Sequence, residues 1–307
     1  MNRNNIKIKE SLKYFPLRIA VTDYCNLNCF FCSNEGMPLY QKNNFFCDLE
    51  KTKTLIKILT EKGLKEISFT GGEPSLHPDI LELVEFCGKF DFKNLFFHTN
   101  GVFIRKDLIK TLLKNFKKLI ETLEYLATKN KEILVEIKCV LIRGINDEEK
   151  DIKSFLDFCS KYRFKFKILN FEPIIPEHIN LVIPFQEVKE KINFVGAIPI
   201  EDDTLFRNQK KYLPVKKFFY GNTWGVVIKI GCGNQEVCKE CYLSNEIFIT
   251  PDLKIKPCHM RNYKIDLEKF IKKGDKSGIY EAIQESRNYL AQAPGENLNV
   301  WQGKENN

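Results

Sequence analysis

The sequence predicts an α/β fold, a partial, open (β/α)6 barrel of the TIM type followed by a smaller C-terminal domain. Short apolar runs alternate with longer amphipathic segments along the first half of the 307-residue chain, which favours parallel strands joined by right-handed helical crossovers. The chemistry-bearing motifs directly follow predicted strands, where β/α barrels place their active sites. We predict a barrel at 1–175, a connecting segment that closes it at 176–230 and a C-terminal domain at 231–307.

The predicted elements follow this alternation in order. Apolar runs predict barrel strands at 17–21, 67–69, 94–98, 134–142 and 166–171. Apolar residues at helical spacing predict helices at 49–62, 78–88, 106–114, 121–129, 147–161 and 185–194. A further strand is predicted at 222–230, and a hairpin that turns at Pro251 and Asp252 is predicted at 247–255.

One strand–helix unit is incomplete in the sequence. Strand four is expected near 116–120, but Leu119 and Ile120 run straight into Glu121 without a polar strand end or a connecting loop. We therefore predict that residues are missing from the chain between about 115 and 122. A continuous peptide through this point would contradict that prediction.

Composition narrows the class of protein. An apolar share of 43% with 29% charged residues is typical of soluble globular proteins. We expect neither a membrane span nor a secretory signal, because the apolar runs are short and the N-terminal residues are polar. Eleven cysteines without a signal peptide indicate a reducing cytoplasm, where thiols bind metals. The net charge of +8 is spread over helices that also carry acids, so we expect neither a nucleic-acid nor a membrane partner.

Three cysteines directly after the first predicted strand form the principal motif. Cys25, Cys29 and Cys32 have CxxxCxxC spacing. A loop of this kind can turn three sulfurs toward one point, and three thiolates occupy only three irons of a [4Fe-4S] cube. The fourth iron then stays open for a ligand. A zinc knuckle is the alternative, although zinc sites usually take four ligands from two CxxC pairs.

A glycine-rich turn, TGGEP at 70–74, follows the second predicted strand. Gly71 and Gly72 allow the backbone to approach a ligand closely, and the Glu73 carboxylate can accept a hydrogen bond from an amino group. The pairing of CxxxCxxC with GGE closely resembles the radical S-adenosylmethionine (SAM) superfamily. This resemblance implies that the open iron chelates the amino and carboxylate groups of SAM, and that the GGE backbone binds its methionine part.

The resemblance also suggests further SAM contacts. Phe31 is expected to pack on the adenine, with plain core packing as the alternative. Thr99 and Asn100 are candidate polar contacts. Lys138, on strand five, would point into the barrel or else be solvated. A flavodoxin- or ferredoxin-type donor would deliver the electron that cleaves SAM to methionine and a 5′-deoxyadenosyl radical, which then abstracts hydrogen from the substrate.

The remaining thiols and histidines in the first half carry weaker signals. His77 and His98 lie at strand-end turns and are expected to be proton relays or hydrogen-bonded structural histidines. Four isolated cysteines are surrounded by apolar residues and are predicted to be small core side chains. They are Cys47, Cys87, Cys139 and Cys159.

A second group of cysteines lies in the C-terminal domain. Cys238 and Cys241 form a CxxC pair, and the predicted hairpin returns Cys258 toward them. Cys232 is either a fourth ligand or not a ligand at all. Spacing alone fits a second [4Fe-4S] cluster and a four-cysteine zinc ribbon almost equally, and the family resemblance favours iron–sulfur.

Within the superfamily, the chain resembles the GTP 3′,8-cyclase family of molybdopterin biosynthesis nearly from end to end. The residues that carry this likeness are RIAVTDYC at 18–25, TGGEPSLHPDI at 70–80, HTNG at 98–101, IRGIND at 142–147 and the distal cysteines. The family implies a partial barrel closed by an auxiliary [4Fe-4S] domain, with the substrate held between two clusters. The hairpin also resembles SPASM and twitch domains.

The chain departs from that cyclase family where GTP is held. Basic residues of the family on the strand before TGGEP are replaced by Glu66 and Ser68. The family's arginines between the second and third auxiliary cysteines are absent, and Glu246 and Phe248 lie in that stretch. The family's C-terminal Gly-Gly tail is replaced by GKENN. Because a triphosphate needs several fixed cations, we expect the SAM machinery to be kept and the GTP site to be lost.

Several functions remain open from sequence. We favour a cyclase-like enzyme acting on a small molecule other than GTP. The alternatives are a peptide-modifying maturase, the GTP 3′,8-cyclase itself and a non-enzymatic two-cluster electron carrier. The short segment before the first strand disfavours a leader-peptide-binding domain and hence the maturase. An electron carrier needs neither the GGE motif nor an open iron.

Overall fold

The computed structural model describes residues 11–13, 15–30, 32, 45–100, 135–171, 176–200, 215–229, 246–259 and 261–292. The chain divides into two compact units. The first comprises Met1–Lys117 with Lys239–Glu296, and the second comprises Lys118–Cys238 with Asn297–Asn307. In the described ranges, no helix is long and apolar enough to cross a membrane.

Strands and helices alternate through most of the described chain. The strands are β1 Leu17–Thr22, β2 Glu66–Gly71, β3 Asn94–Phe97, β4 Glu136–Leu141, β5 Lys165–Asn170, β6 Ile198–Ile200, β7 Val215–Tyr220, β8 Thr223–Ile228, β9 Ile247–Ile249, β10 Lys254–Ile255 and β11 Ile265–Asp266. The α-helices are α1 Leu49–Glu61, α2 Ile80–Cys87, α3 Glu149–Tyr162, α4 Phe185–Phe194, α5 Glu268–Lys273 and α6 Lys276–Gln292. Short 3₁₀ helices lie at Pro74–Leu76 and Pro176–Leu181.

The first unit is organised around β1. Its neighbours β2 and β9 are both parallel to it, and β2 is in turn parallel to β3. Beyond β9 the sheet continues antiparallel through β10 to β11. Side chains on both faces of β1 are largely buried, as is usual for a strand inside a parallel sheet, and this burial explains its apolar sequence.

The two faces of β1 have different partners. Leu17, Ile19 and Val21 belong to the hydrophobic core that also contains residues of α1 and α2. Alternation along a strand puts the side chains of Arg18, Ala20 and Thr22 on the opposite face. That face also carries Ser68 and Phe248, because both pair with Arg18 across the sheet; we call it the inner face of the first sheet.

Helix α1 illustrates how the sequence specifies the layer that covers the core. The Asp48 side chain accepts a hydrogen bond from the backbone N–H of Lys51 at 2.9 Å and so caps the first turn. Leu55, Ile56 and Leu59, at i, i+1 and i+4, are fully buried. One stripe of α1 therefore packs into the core, as a helical apolar period predicts.

The second unit is a mixed sheet with its own core. In its described residues, β4, β5 and β8 are parallel neighbours, and β7 and β6 extend the sheet antiparallel. The core contains buried side chains of α3, α4 and the strands. Tyr220 pairs with Thr223, so β7 and β8 are joined by a two-residue turn of Gly221, which has φ +52°, and Asn222.

The structure confirms most of the predicted elements. Every predicted strand and helix that falls on described residues is present, with ends within two residues of the prediction. The predicted helices at 106–114 and 121–129, strand four and the expected gap near 115–122 lie outside the described residues. β6, β7, β11, α5 and α6 were not predicted. The Gly-Asn pair at 221–222 is a known signal for the hairpin turn that joins β7 and β8.

The parallel pairing of β9 with β1 was also not predicted. The sequence indicates the hairpin by its turn residues, but nothing local specifies which sheet edge the hairpin joins. All three β9 side chains are buried, and β9 has hydrogen-bonded neighbours at both edges, β1 on one side and β10 on the other. This pairing places β9, which lies within the segment 231–307, in the same unit as β1, and the predicted domain boundaries stay a prediction.

Replacing Ile249 with Ala tests the β1–β9 contact. Ile249 is fully buried and pairs with Ile19, so the free energy of unfolding of the first unit should fall by about 2–5 kcal/mol. Ile198→Ala is the matched control, because Ile198 is 66% exposed and should change stability by less than about 0.5 kcal/mol. Denaturant unfolding followed by circular dichroism measures both, and equal shifts would contradict the pairing.

Candidate active site

The loop that carries the three N-terminal cysteines is tied at both ends to the end of β1. Asp23 accepts a hydrogen bond from the backbone N–H of Phe45 at 2.7 Å, and its own N–H donates to the Phe45 carbonyl at 3.2 Å. The Thr22 hydroxyl donates to the same carbonyl at 2.8 Å, and the N–H of Cys47 donates to Val21 at 2.8 Å. These contacts hold the loop between Thr22 and Phe45 at the carboxyl end of β1.

The three thiols of this loop are accessible, unlike the buried thiols of Cys47, Cys87 and Cys159. Cys25 and Cys29 are half-buried, and Cys32 is exposed. The backbone N–H of Cys32 donates to the Cys29 carbonyl at 3.0 Å, which closes a turn between these two cysteines. The Cys25 sulfur accepts from the backbone N–H of Leu27 at 3.4 Å, a contact that stabilises a thiolate.

The remaining described cysteines in the first half have a different environment. Burial raises the pKa of Cys47 and of Cys139 to about 11, and that of Cys87 and of Cys159 to about 12. Because the thiolate is the metal ligand, these thiols are unsuited to hold a metal. The buried thiols Cys47, Cys87 and Cys159 belong to the hydrophobic cores, so those three sequence predictions are confirmed.

The loop fits an iron–sulfur cluster by its ligand type. Thiolates hold the irons of a [4Fe-4S] cube, each iron taking a different thiolate. Three accessible thiols, one of them already accepting a backbone N–H, suit this requirement.

Gly71 and Gly72 are required by the close approach of the β1 and β2 loops. The N–H of Gly72 donates to the Thr22 carbonyl, and the N–H of Glu73 donates to the Tyr24 carbonyl, both at 2.8 Å. A Cβ on Gly72 would lie 2.1 Å from the Tyr24 oxygen, and one on Gly71, which has φ +130°, would lie 2.2 Å from the Thr22 oxygen. The glycines therefore admit the neighbouring backbone, a constraint that sequence reasoning had assigned only to a ligand.

Glu73 connects the β2 loop to the end of β3. Its side chain is 1% exposed, and one carboxylate oxygen accepts from the N–H of Ser75 at 3.0 Å and from the Thr99 hydroxyl at 2.7 Å. The other oxygen accepts from the N–H of Asn100 at 2.8 Å. A carboxylate has about four acceptor positions, so one remains for a further donor, such as the amino group expected from sequence.

Asn100 extends this network to the cysteine loop. Its side-chain amide donates to the Asn26 amide oxygen at 3.0 Å and lies 3.9 Å from the Cys25 sulfur. The Asn26 amide nitrogen is buried and has no hydrogen-bond partner within the described part of the chain. A buried donor without a partner is unusual and suits an acceptor on a bound ligand. Asn26 was missed from sequence, where it reads as an ordinary loop residue between two cysteines.

His77 has a structural role beneath the loop. It is 1% exposed; its Nδ1 accepts from the N–H of Asp79 at 3.1 Å, so Nε2 carries the proton and donates to the Cys47 carbonyl at 3.1 Å. Burial lowers the pKa of His77, which favours the neutral ring. The structural alternative considered for His77 is therefore favoured over a proton relay.

The inner face of the first sheet extends from this cysteine loop toward a second one. The backbone N–H of Lys256 donates to the Phe248 carbonyl, and Phe248 pairs with Arg18 in the register of β9 with β1. The segment carrying Cys258 thus leaves the sheet near the start of β1, whereas the Cys25 loop follows Thr22 at its end. Arg18 and Thr22 are four residues apart, or about 13 Å along a strand.

Charged side chains near the start of β1 are paired with each other. Arg18 lies 3.8 Å from the Glu246 carboxylate, and both side chains are mostly buried. Glu66, on the inner face of β2, accepts from the Asn94 side chain at 2.8 Å. Arg18 thus has a carboxylate partner.

The described structure does not place the remaining predicted site residues in the network of Glu73, Asn100 and Asn26. Lys138 is exposed on β4 of the second unit, and its role stays a prediction. Four others lie outside the described residues, namely Phe31, Cys232, Cys238 and Cys241.

Comparison with known proteins supports the chemistry indicated by this geometry. Residues 19–116 match the model of the radical SAM superfamily. A GTP 3′,8-cyclase of Thermodesulfovibrio yellowstonii is 25% identical over 84% of this chain and 85% of its own. A GTP 3′,8-cyclase of Clostridium acetobutylicum is 27% identical over the same shares.

A solved structure supports the fold. The crystal structure of Streptococcus suis SuiB bound to S-adenosylmethionine matches with a TM-score of 0.60 at 17% identity, over 87% of this chain and 66% of that one. The present chain thus spans about two thirds of that protein, and the likeness supports the partial TIM-type α/β fold. Taken with the cysteine loop and the GGE turn, the match of residues 19–116 and the two cyclase relatives support a radical SAM enzyme that resembles the GTP 3′,8-cyclases.

Proposed function

We propose that this enzyme cleaves SAM reductively at a [4Fe-4S] cluster held by Cys25, Cys29 and Cys32, and acts on a small molecule other than GTP. The observation that carries the proposal is the continuous network from Glu73 through Asn100 to Asn26 and Cys25. When bound, the cluster and SAM would supply a 5′-deoxyadenosyl radical that abstracts hydrogen from the substrate.

The chain's own residues would bind and orient SAM. Glu73 has an acceptor position left for the amino group, and the buried amide nitrogen of Asn26 is available to a SAM oxygen. Asn100 holds Asn26 in place through its side chain. Phe31 would cover the adenine, as sequence suggests.

A second [4Fe-4S] cluster is part of the proposal. Cys238, Cys241 and Cys258 would hold it, with Cys232 as a possible fourth ligand. The departure of the Cys258 segment near the start of β1 supports this arrangement. A substrate lying along the inner face would then have SAM at one end and the second cluster at the other. A flavodoxin- or ferredoxin-type donor would supply the electron.

The charges of the inner face favour a substrate other than GTP. The guanidinium of Arg18 is paired with Glu246, and the Glu66 carboxylate is hydrogen-bonded nearby on β2. A triphosphate needs unopposed, fixed cations, and a carboxylate beside it is repulsive. The GTP 3′,8-cyclase activity of the relatives is the principal alternative. A peptide substrate is a further one, because SuiB has also been crystallised with its precursor peptide SuiA.

SAM cleavage is the direct test of the reaction class. Anaerobically reconstituted protein with SAM and dithionite should form 5′-deoxyadenosine, quantified by mass spectrometry. A variant with Cys25, Cys29 and Cys32 changed to Ala should form none. If wild-type protein with a full iron complement forms none, the proposal is wrong and the electron-carrier alternative gains support.

The charge argument predicts that GTP is not a substrate. Adding GTP to the reduced, SAM-loaded enzyme should neither raise the yield of 5′-deoxyadenosine nor give a cyclised nucleotide. A GTP 3′,8-cyclase such as the Clostridium acetobutylicum relative, assayed in parallel, is the positive control. Detection of a cyclised product above background would contradict the prediction and assign the relatives' activity to this chain.

Glu73→Gln tests the network. An amide nitrogen cannot accept the hydrogen bonds that the carboxylate oxygens receive, so either Asn100 or Ser75 and Thr99 lose an acceptor, at a cost of about 1.5–3 kcal/mol. SAM affinity of the reconstituted protein should therefore fall by roughly 10- to 100-fold, as measured by equilibrium dialysis.

Glu66→Gln is the matched control for Glu73→Gln, because Glu66 begins β2 and Glu73 lies two residues beyond the end of the same strand. Glu66 accepts its hydrogen bond from Asn94 at the end of β2 that is far from the cysteine loop. Its substitution should leave SAM affinity unchanged. Equal losses in both variants would show that the effect is not specific to the Glu73 network.

A further inference from the structure

Lys256 is a buried lysine in the segment that leads to Cys258. Its side chain is 2% exposed and is one of the largest fully buried side chains of the described chain. A lysine is rarely buried unless its ammonium group is satisfied. We therefore expect the ammonium group of Lys256 to have specific hydrogen-bond partners.

The ammonium group of Lys256 binds the backbone of the Cys258 loop. It donates to the carbonyls of Cys258 at 2.9 Å, His259 at 2.7 Å and Arg261 at 2.9 Å. An ammonium group has three donors, and each of these carbonyls takes one. The loop is thus wrapped around one side-chain nitrogen.

The loop is also fixed to β9. The backbone N–H of Lys256 donates to the Phe248 carbonyl at 3.0 Å, and the His259 ring packs on the Phe248 ring at a centroid distance of 4.6 Å. Consequently both the stem and the far side of the loop are held against the same strand residue. The Cys258 thiol between them is half-buried and accessible to a metal.

We propose that Lys256 is the positioning residue of the second metal site. It fixes the loop so that the Cys258 sulfur would be presented as a ligand, and its positive charge would favour an anionic, thiolate-bound cluster held at Cys258. The three carbonyls that accept from the ammonium group carry no net charge themselves, and the cluster would add a favourable charge interaction to these hydrogen bonds. This inference rests on the second cluster of the proposed function.

The test isolates the second site. In a background with Cys25, Cys29 and Cys32 changed to Ala, reconstituted protein should contain about four irons per chain and no stoichiometric zinc. Adding Lys256→Gln removes the charge but keeps an N–H donor group. We expect about half of the iron or more to be lost, and the remaining cluster to have a more negative midpoint potential in an EPR-monitored redox titration.

Two further variants separate positioning from a general loss of structure. Lys254→Gln is the matched control: Lys254 lies two residues away and pairs with Asp252 at the hairpin turn, so iron content and potential should be unchanged. Lys256→Arg keeps the charge and several donors and should restore most of the iron and the potential. Circular dichroism on each variant verifies folding, and the Arg variant keeps the test decisive if the Gln variant does not fold.

The outcomes distinguish this proposal from the proposed function. Normal iron content and an unchanged potential in Lys256→Gln, or a loss of iron in Lys256→Arg as great as in Lys256→Gln, would overturn the role of Lys256 while leaving the second cluster in place. A background protein that binds no iron, or that binds zinc instead, would overturn both. Formation of 5′-deoxyadenosine by the wild type depends on neither result.

Discussion

The arrangement of the candidate site depends on the backbone contact between the loops after β1 and β2. Two hydrogen bonds of 2.8 Å join Gly72 and Glu73 to the Thr22 and Tyr24 carbonyls, and no side chain fits between them. This contact delivers Glu73 to a buried position beneath the cysteine loop. The hydrogen bond from Asn100 to Glu73 and the contact of Asn100 with Cys25 both depend on this position of Glu73. The GGE motif thus has two roles. It allows two neighbouring strands to pack closely, and it also provides a ligand contact.

A second constraint comes from the parallel pairing of β9 with β1. It brings a segment more than two hundred residues away in sequence to the same sheet as the cysteine loop. Because β10 returns antiparallel to β9, the Cys258 loop leaves the sheet toward the start of β1 rather than toward its end. The inner face between the two loops carries Arg18, Ser68 and Phe248. The Cys25 loop and the Cys258 loop are therefore separated by about the length of β1.

Sequence reasoning succeeded where the signal is local. The CxxxCxxC spacing, the TGGEP turn and the apolar runs each specify a short piece of backbone, and strand and helix ends followed to within two residues. Sequence reasoning failed where a structural feature depends on residues that are far apart in the sequence. The neighbour of β9, the carboxylate partner of Arg18 and the three carbonyls around Lys256 are set by tertiary pairing. The same holds for Asn26, whose buried amide becomes notable only once Asn100 lies beside it.

The central claim is that the cysteine loop and the Glu73 network together form one SAM-binding cluster site. The most direct measurement is the EPR spectrum of the reduced N-terminal cluster with and without SAM, in a variant with Cys232, Cys238, Cys241 and Cys258 changed to Ala. The account predicts that SAM changes the spectrum, because it binds the open iron, and that Glu73→Gln in the same variant weakens this change. A spectrum that saturating SAM leaves unaltered would contradict the account.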